Sequence, residues 1–208
     1  MSAESLRGRL LVATPGLADP NFERTVVLML EHGGEGALGL VINRPATAEV
    51  TEALPEWSEQ AAAPAVLFKG GPVEQDAVIA IGQFATTPGL PQTGDEPGGG
   101  LDDDTRDESS AESAAVQPLF ADLVTVDVSV PPGPLAAALR GVRLFVGYAG
   151  WEAGQLESEI SAGSWFVVNL DSADLLSPEP AALWRVVLAR QAGPLAFVSM
   201  FPDDPAMN

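Results

Sequence analysis

The sequence predicts an α+β fold, and three observations carry that prediction. Short runs rich in Val, Leu, Ile and Phe are interspersed with a few helical patterns, without the regular β-α-β rhythm of a doubly wound sheet. Two of these runs, 25–31 and 37–43, are separated by Gly33-Gly34-Glu35-Gly36, a connection that fits an antiparallel hairpin and is too short for a parallel crossover. The chain has 208 residues, 46% of them hydrophobic, and shows no internal repeat, so a single domain over 1–208 with one substantial core is expected.

In chain order, residues 9–14 read as a first strand. Val26-Val27-Leu28-Met29-Leu30 is apolar on both faces, which places the second strand at the centre of the sheet, covered on both sides. Gly39 interrupts the third and marks a bulge or a close backbone approach. Residues 47–54 read as a short helix halted before Pro55, and 65–69 and 77–82 as strands around the Gly70-Gly71-Pro72 turn. Residues 87–117 stand apart: Pro, Gly and acidic residues replace large apolar ones, so this stretch reads as a flexible acidic insertion, unable to bury enough surface to offset its ordering entropy.

Residues 119–130 and 142–148 are β-rich again, with a helical turn over 134–140 between them, Pro at its start and Gly141 just past its end. Residues 154–160 form a short helix; Leu156 and Ile160 point inward, and Glu152, Gln155 and Glu159 share an adjacent face. Residues 165–170 are a strand. The last helix has Ser177 as N-cap, Pro178 at its first position and Gly193-Pro194 as its stop, with Leu183, Val186 and Val187 as a core stripe widened by Trp184 and Leu188. A final strand is expected over 195–200.

Charge and composition narrow the function classes. The net charge is −19, from 29 acids against 10 bases, and Lys69 and His32 are the only lysine and histidine. Affinity for nucleic acid comes largely from cations neutralising phosphates, so this balance argues against direct DNA binding and against an anionic membrane surface. The absence of cysteine excludes disulfides, thiolate nucleophiles and Cys-type zinc sites. No apolar leader opens the sequence and no apolar run approaches the roughly 20 residues of a membrane span, which predicts a cytoplasmic protein. No phosphate-binding Gly-x-x-x-x-Gly-Lys loop and no Gly-x-Ser-x-Gly elbow is present, and one histidine cannot supply a two-His metal site. No cofactor and no metal is called for.

The candidate binding residues lie in short polar and glycine-rich signatures, read as ends of elements, where sites usually sit. Asp19 opens the turn Asp19-Pro20-Asn21-Phe22 and reads as a cap for the following backbone. Arg24 and Arg44 each offer a planar fork to an anion, or else pair with a neighbouring carboxylate, Asp19 being the local partner for Arg24. Glu31 stands beside His32, which reads as a hydrogen-bonded structural histidine or as a proton-sensitive element paired with a carboxylate. Asn43 precedes Arg44 at a strand exit fixed by Pro45. In Gly147-Tyr148-Ala149-Gly150-Trp151, small residues make room beside large rings; Trp151 either packs under the following helix or lines a groove with Glu152, Gln155 and Glu159.

Taken together, these signatures resemble the YqgE/AlgH family of bacterial proteins. The resemblance runs from Leu11-Val12-Ala13-Thr14-Pro15 through 17–27, Glu31-His32, 36–45 and Gly70-Gly71-Pro72-Val73 to Gly147-Tyr148-Ala149-Gly150-Trp151 and 154–160. It covers nearly the whole chain; the acidic stretch 87–117 is the main departure. The resemblance implies a mostly antiparallel, curled sheet flanked by helices, and it implies no established enzyme activity. Some members carry the label of transcriptional regulator, but this chain has no convincing helix-turn-helix and no basic stripe. The expected function is a non-enzymatic binding or regulatory module, acting on transcription indirectly through a protein partner or a small ligand. The alternatives are a hydrolase built on carboxylates and His32, and a direct DNA-binding regulator.

Overall fold

The computed structural model describes residues 5–85 and 116–202. These contain ten strands: β1 (Arg9–Ala13), β2 (Val26–Gly33), β3 (Gly36–Val41), β4 (Pro45–Glu49), β5 (Val66–Lys69), β6 (Val73–Phe84), β7 (Val116–Phe120), β8 (Leu123–Val126), β9 (Leu139–Glu152) and β10 (Trp165–Asn169). Four short α-helices accompany them: α1 (Val50–Ala53), α2 (Gln155–Ser161), α3 (Leu183–Ala189) and α4 (Pro194–Val198). The strands form one curled sheet in the order β10-β1-β2-β3-β9-β6-β8-β7, with β5 attached to β9 and β4 to β5. Every strand pair is antiparallel except β5 with β9. The α+β expectation holds.

Alternation along the central strands explains how both faces are covered. Leu10 and Val12 of β1 point to one face with Leu28, Leu40 and Phe145, where α3 packs Trp184, Val187 and Leu188 on them. Leu11 and Ala13 point to the other, with Val27, Met29, Trp151 and Trp165, under Leu156 of α2. The run Val26 to Leu30 is buried throughout, as a strand covered on both sides must be. A third apolar cluster, around Trp57, Val124, Val142 and Leu144, fills the β6-β8 end.

The longest strand, β9, is the spine of the molecule. It pairs with β6 along most of its length. On its other edge it pairs with β5 at Phe145 and Val146, then with β3 from Ala149 to Glu152. The change of partner falls at Gly147, whose φ is +71°, a conformation that favours glycine. Here Gly70 bridges the two neighbours: its N–H donates to the Val146 carbonyl (2.9 Å), and its carbonyl accepts from the Val41 N–H (2.8 Å). Gly71 lies against the backbone of Tyr148 and Ala149 with no room for a Cβ. Two signatures far apart in sequence are thus one backbone-to-backbone contact.

Gly39 shows both features its position predicts. A Cβ there would stand 2.7 Å from Val27 Cγ1, and β2 bulges opposite it between Met29 and Glu31.

Several local expectations are corrected. Residues 47–54 are only partly helical: β4 runs to Glu49 because it pairs with β5, and α1 follows over one turn. Residues 119–130 are not one strand; the backbone reverses at Ala121 (φ +51°) and folds β7 on β8 as a hairpin. The strand expected over 142–148 extends to Glu152, so the Gly147–Trp151 signature lies inside β9 and not at an element end. The last helix begins later than Ser177, through a 3-10 turn over Pro180–Ala182, and Val186 is 52% exposed instead of joining the core stripe. The stretch 195–200 is not a strand: α4 runs over Pro194–Val198 and a turn follows, because the chain turns at Gly193 (φ +69°) and restarts at Pro194, a residue suited to a helix start. Of the acidic insertion, Val116 and Gln117 belong to β7, and the rest lies outside the described residues.

Candidate functional site

Among the described residues, a groove of about 470 Å³ lies at the β4-β5 end of the sheet. Three signatures converge on it. The turn after Asp19 contributes Pro20 and Asn21, the strand exit at Pro45 contributes Arg44 with Ala46 and Ala48, and the β5-β6 turn contributes Lys69, Gly71 and Pro72. Asp19 holds its turn as a cap: its carboxylate accepts the Asn21 N–H at 2.7 Å, as the sequence predicts. Arg44 is not paired with a carboxylate among the described residues. Its guanidinium donates to the carbonyls of Pro20 and Glu23, both at 2.9 Å, and so braces the turn against β4. Among the described residues, no carboxylate lines the groove.

Asn43 is structural. Its Oδ1 accepts the Val26 N–H (2.8 Å) and its Nδ2 donates to the Arg24 carbonyl (2.9 Å), continuing the β2 ladder where β3 has ended. Arg24, at φ +52°, lays its guanidinium 4.6 Å from the Trp184 ring centre and donates to the Pro202 carbonyl. Asp19 is not its ion-pair partner. Arg24 ties the start of β2 to the C-terminal region.

Of the remaining candidates, Glu31 and His32 lie at the opposite end of β2, and Trp151, Glu152, Gln155 and Glu159 lie along the end of β9 and on α2. His32 has a side chain only 4% exposed. Its Nδ1 accepts the Leu6 N–H at 3.2 Å, which leaves Nε2 to carry the proton. Nε2 lies 3.2 Å from Glu157 Oε1 but off the line of a good hydrogen bond. Nearby, Glu159 accepts three donors: Trp151 Nε1 at 3.0 Å, Trp165 Nε1 at 2.8 Å and Gln155 Nε2 at 2.9 Å. Gln155 in turn accepts the Glu152 N–H at 3.0 Å. Trp151 and Trp165 meet edge to face at 6.1 Å, and Phe22 packs on both. Trp151 therefore packs under its helix, and this network fastens α2 to β9 and β10. Glu31 stands at the rim of a shallow depression of about 230 Å³ beside Trp151.

The sequence-predicted set thus divides in two. Arg44 lines the groove and Asp19 caps the turn beside it; Trp151, Gln155 and Glu159 form the network that holds α2, which Phe22 of the same turn joins, and His32 stands six residues along β2 from Val26, roughly 20 Å by strand rise. Among the described residues, no group of three or more His, Asp or Glu side chains is placed to hold a metal ion. No helix among them is long and apolar enough to cross a membrane.

The sequence pattern of the AlgH-like family matches residues 10–196. The chain belongs to the AlgH-like family. A UPF0301 protein of Streptomyces coelicolor is 45% identical over 206 residues, spanning 98% of this chain and 96% of that one. A UPF0301 protein of Thermobifida fusca is 44% identical over 209 residues, spanning 100% and 98%. Among solved structures, a Corynebacterium diphtheriae protein superposes with a TM-score of 0.78 at 30% identity over 97% of this chain and 95% of that one. The AlgH protein of Pseudomonas aeruginosa superposes with a TM-score of 0.59 at 27% identity over 98% of each. The AlgH-like curled, mostly antiparallel sheet is therefore the fold of this chain.

Two residues of consequence in this AlgH-like fold escaped sequence reasoning. Lys69 was visible only as an isolated lysine, and its place on the groove depends on the β5-β9 pairing. Arg143 is 1% exposed in the core. Its guanidinium donates to the carbonyls of Ala63, Pro64, Leu175 and Ser177 and lies 4.2 Å from the Phe68 ring centre. Burial pushes its pKa down to about 10, so it is still charged at neutral pH. A single Arg in a strand of apolar residues was the available signal.

Proposed function

We propose that the protein is a non-catalytic binding module whose ligand seat is the groove between the 19–22 turn, β4 and the β5-β6 turn. Any influence on transcription is then indirect, through what the groove holds or through a protein that reads its occupancy. The observation that carries this reading is the convergence of three separate signatures on one concavity of about 470 Å³, within the usual size of small-molecule sites.

The hydrolase alternative needs His32 in an open pocket with Arg44 and carboxylates. His32 is instead buried against Leu6 and Glu157, at the far end of β2 from Arg44. Direct DNA binding needs a cationic furrow, and a chain of net charge −19 works against one.

A thermal-shift screen of small molecules tests the proposal, with Ala46→Trp as the control that fills the groove. A ligand at a hundred times its dissociation constant stabilises by about 2.7 kcal/mol, a rise of roughly 5–10 °C for a chain of this size. The expected result is a hit whose shift vanishes in Ala46→Trp. Shifts that persist undiminished in that variant place the seat elsewhere.

A further inference from the structure

We propose that the groove takes a small amphipathic organic anion, its carboxylate or phosphate head set against Lys69 and Arg44 and its apolar body lying along Ala46, Ala48 and Leu67. This rests on the groove being the ligand seat, and it adds the chemical class.

Charge is the first argument. With 29 acids against 10 bases, a cation that meets a carboxylate of this chain has its charge largely cancelled. Arg190 is one such case, paired with Asp174 at 2.5 Å. Lys69 and Arg44 escape it: both line the groove, and neither has an ion-pair partner among the described residues. The Lys69 ammonium makes no hydrogen bond there either, while its backbone is fixed by the Lys69 N–H donating to the Arg44 carbonyl at 2.9 Å. Lys69, the last residue of β5, and Arg44, just before β4, thus stand opposite each other across a backbone hydrogen bond.

Preorganisation is the second. The Pro20 and Glu23 carbonyls hold the guanidinium of Arg44 in place and leave its other N–H donors uncommitted. A fixed fork loses less freedom when it meets an anion than a mobile one does. Carbonyl braces, unlike a carboxylate brace, orient the group without cancelling its charge.

The lining supplies the third. Apolar side chains of β4 and β5 dominate the groove, so a bare inorganic ion would leave most of it unfilled. The polar neighbours Asn21 and Gln75 suit the head and not the body.

Amide NMR titration of the full chain with octanoate, phenyl phosphate, 1-octanol, phenol and inorganic phosphate tests this. Octanoate, phenyl phosphate or both should move the Asn21 and Gly71 amide signals. Either should bind at least roughly tenfold tighter than its neutral analogue, the equivalent of one charge-assisted hydrogen bond. Lys69→Gln should erase that advantage, and Lys69→Arg should restore it. Whichever head binds identifies the acid as carboxylate or phosphate. Neutral analogues that move the same amides as tightly as the anions overturn the anion assignment and leave the groove as a ligand seat. Anion binding unchanged in Lys69→Gln overturns it too, as does inorganic phosphate binding as well as phenyl phosphate. No movement of groove amides with any probe overturns both this inference and the reading beneath it.

Discussion

Glu159 shows how one side chain decides whether a sequence motif is a site or a fastener. Its carboxylate receives two indole N–H groups and an amide, and both indoles are almost fully buried. Glu159→Ala strands those donors, and each unsatisfied buried group costs about 1–3 kcal/mol. We expect Glu159→Ala to lower the urea-unfolding free energy by about 2–4 kcal/mol, with Glu159→Gln recovering much of it because an amide oxygen still accepts. At Arg143, one guanidinium satisfies the carbonyls of four residues in the buried core. Arg143→Met should cost at least about 3 kcal/mol by the same measurement, and Arg143→Lys should rescue little, because an ammonium lacks the planar fork.

Glycine use differs sharply within a single element. Along β9, Gly147 adopts φ +71° while Gly71 presses on the next two residues, so neither position tolerates a side chain. Gly150 meets nothing nearer than the Tyr148 ring at 3.5 Å. Gly71→Ala should therefore destabilise by about 3 kcal/mol or more, because the obstruction is backbone and cannot rotate away. Gly150→Ala should change stability by about 0.5 kcal/mol or less, or raise it slightly, since alanine is the better strand residue. Thermal denaturation of the two variants side by side checks the contrast; equal losses would contradict the packing described for the β5-β6 turn.

At the scale of the whole molecule, β9 joins all three apolar clusters: Phe145 belongs to one, Trp151 to the second and Leu144 to the third. Cores sharing one strand should melt together. Variants retaining only Trp57, only Trp184, or only the Trp151-Trp165 pair should unfold at the same urea concentration once each is referenced to circular dichroism of the same variant; an earlier Trp57 transition would reveal two units. The net charge of −19 also predicts that added salt raises the melting temperature, by screening self-repulsion.

The amino-acid sequence by itself determined the family, the α+β class, the burial of β2 on both faces, the cap at Asp19 and the α2 face carrying Gln155 and Glu159. The family rests on the ordered series of signatures along nearly the whole chain; the other readings depend on spacing or turn chemistry within about ten residues, which the chain displays directly. It misplaced 195–200 and the start of the last helix because short apolar runs suit strand and helix alike, and packing arbitrates. Only the tertiary structure decided that Arg44 and Lys69 share a groove while His32 and Trp151 do not, and that Gly71 and Gly147 are one contact. Those facts follow from which edge of β9 each partner strand takes, and strand pairing joins residues whose separation along the chain leaves no local trace.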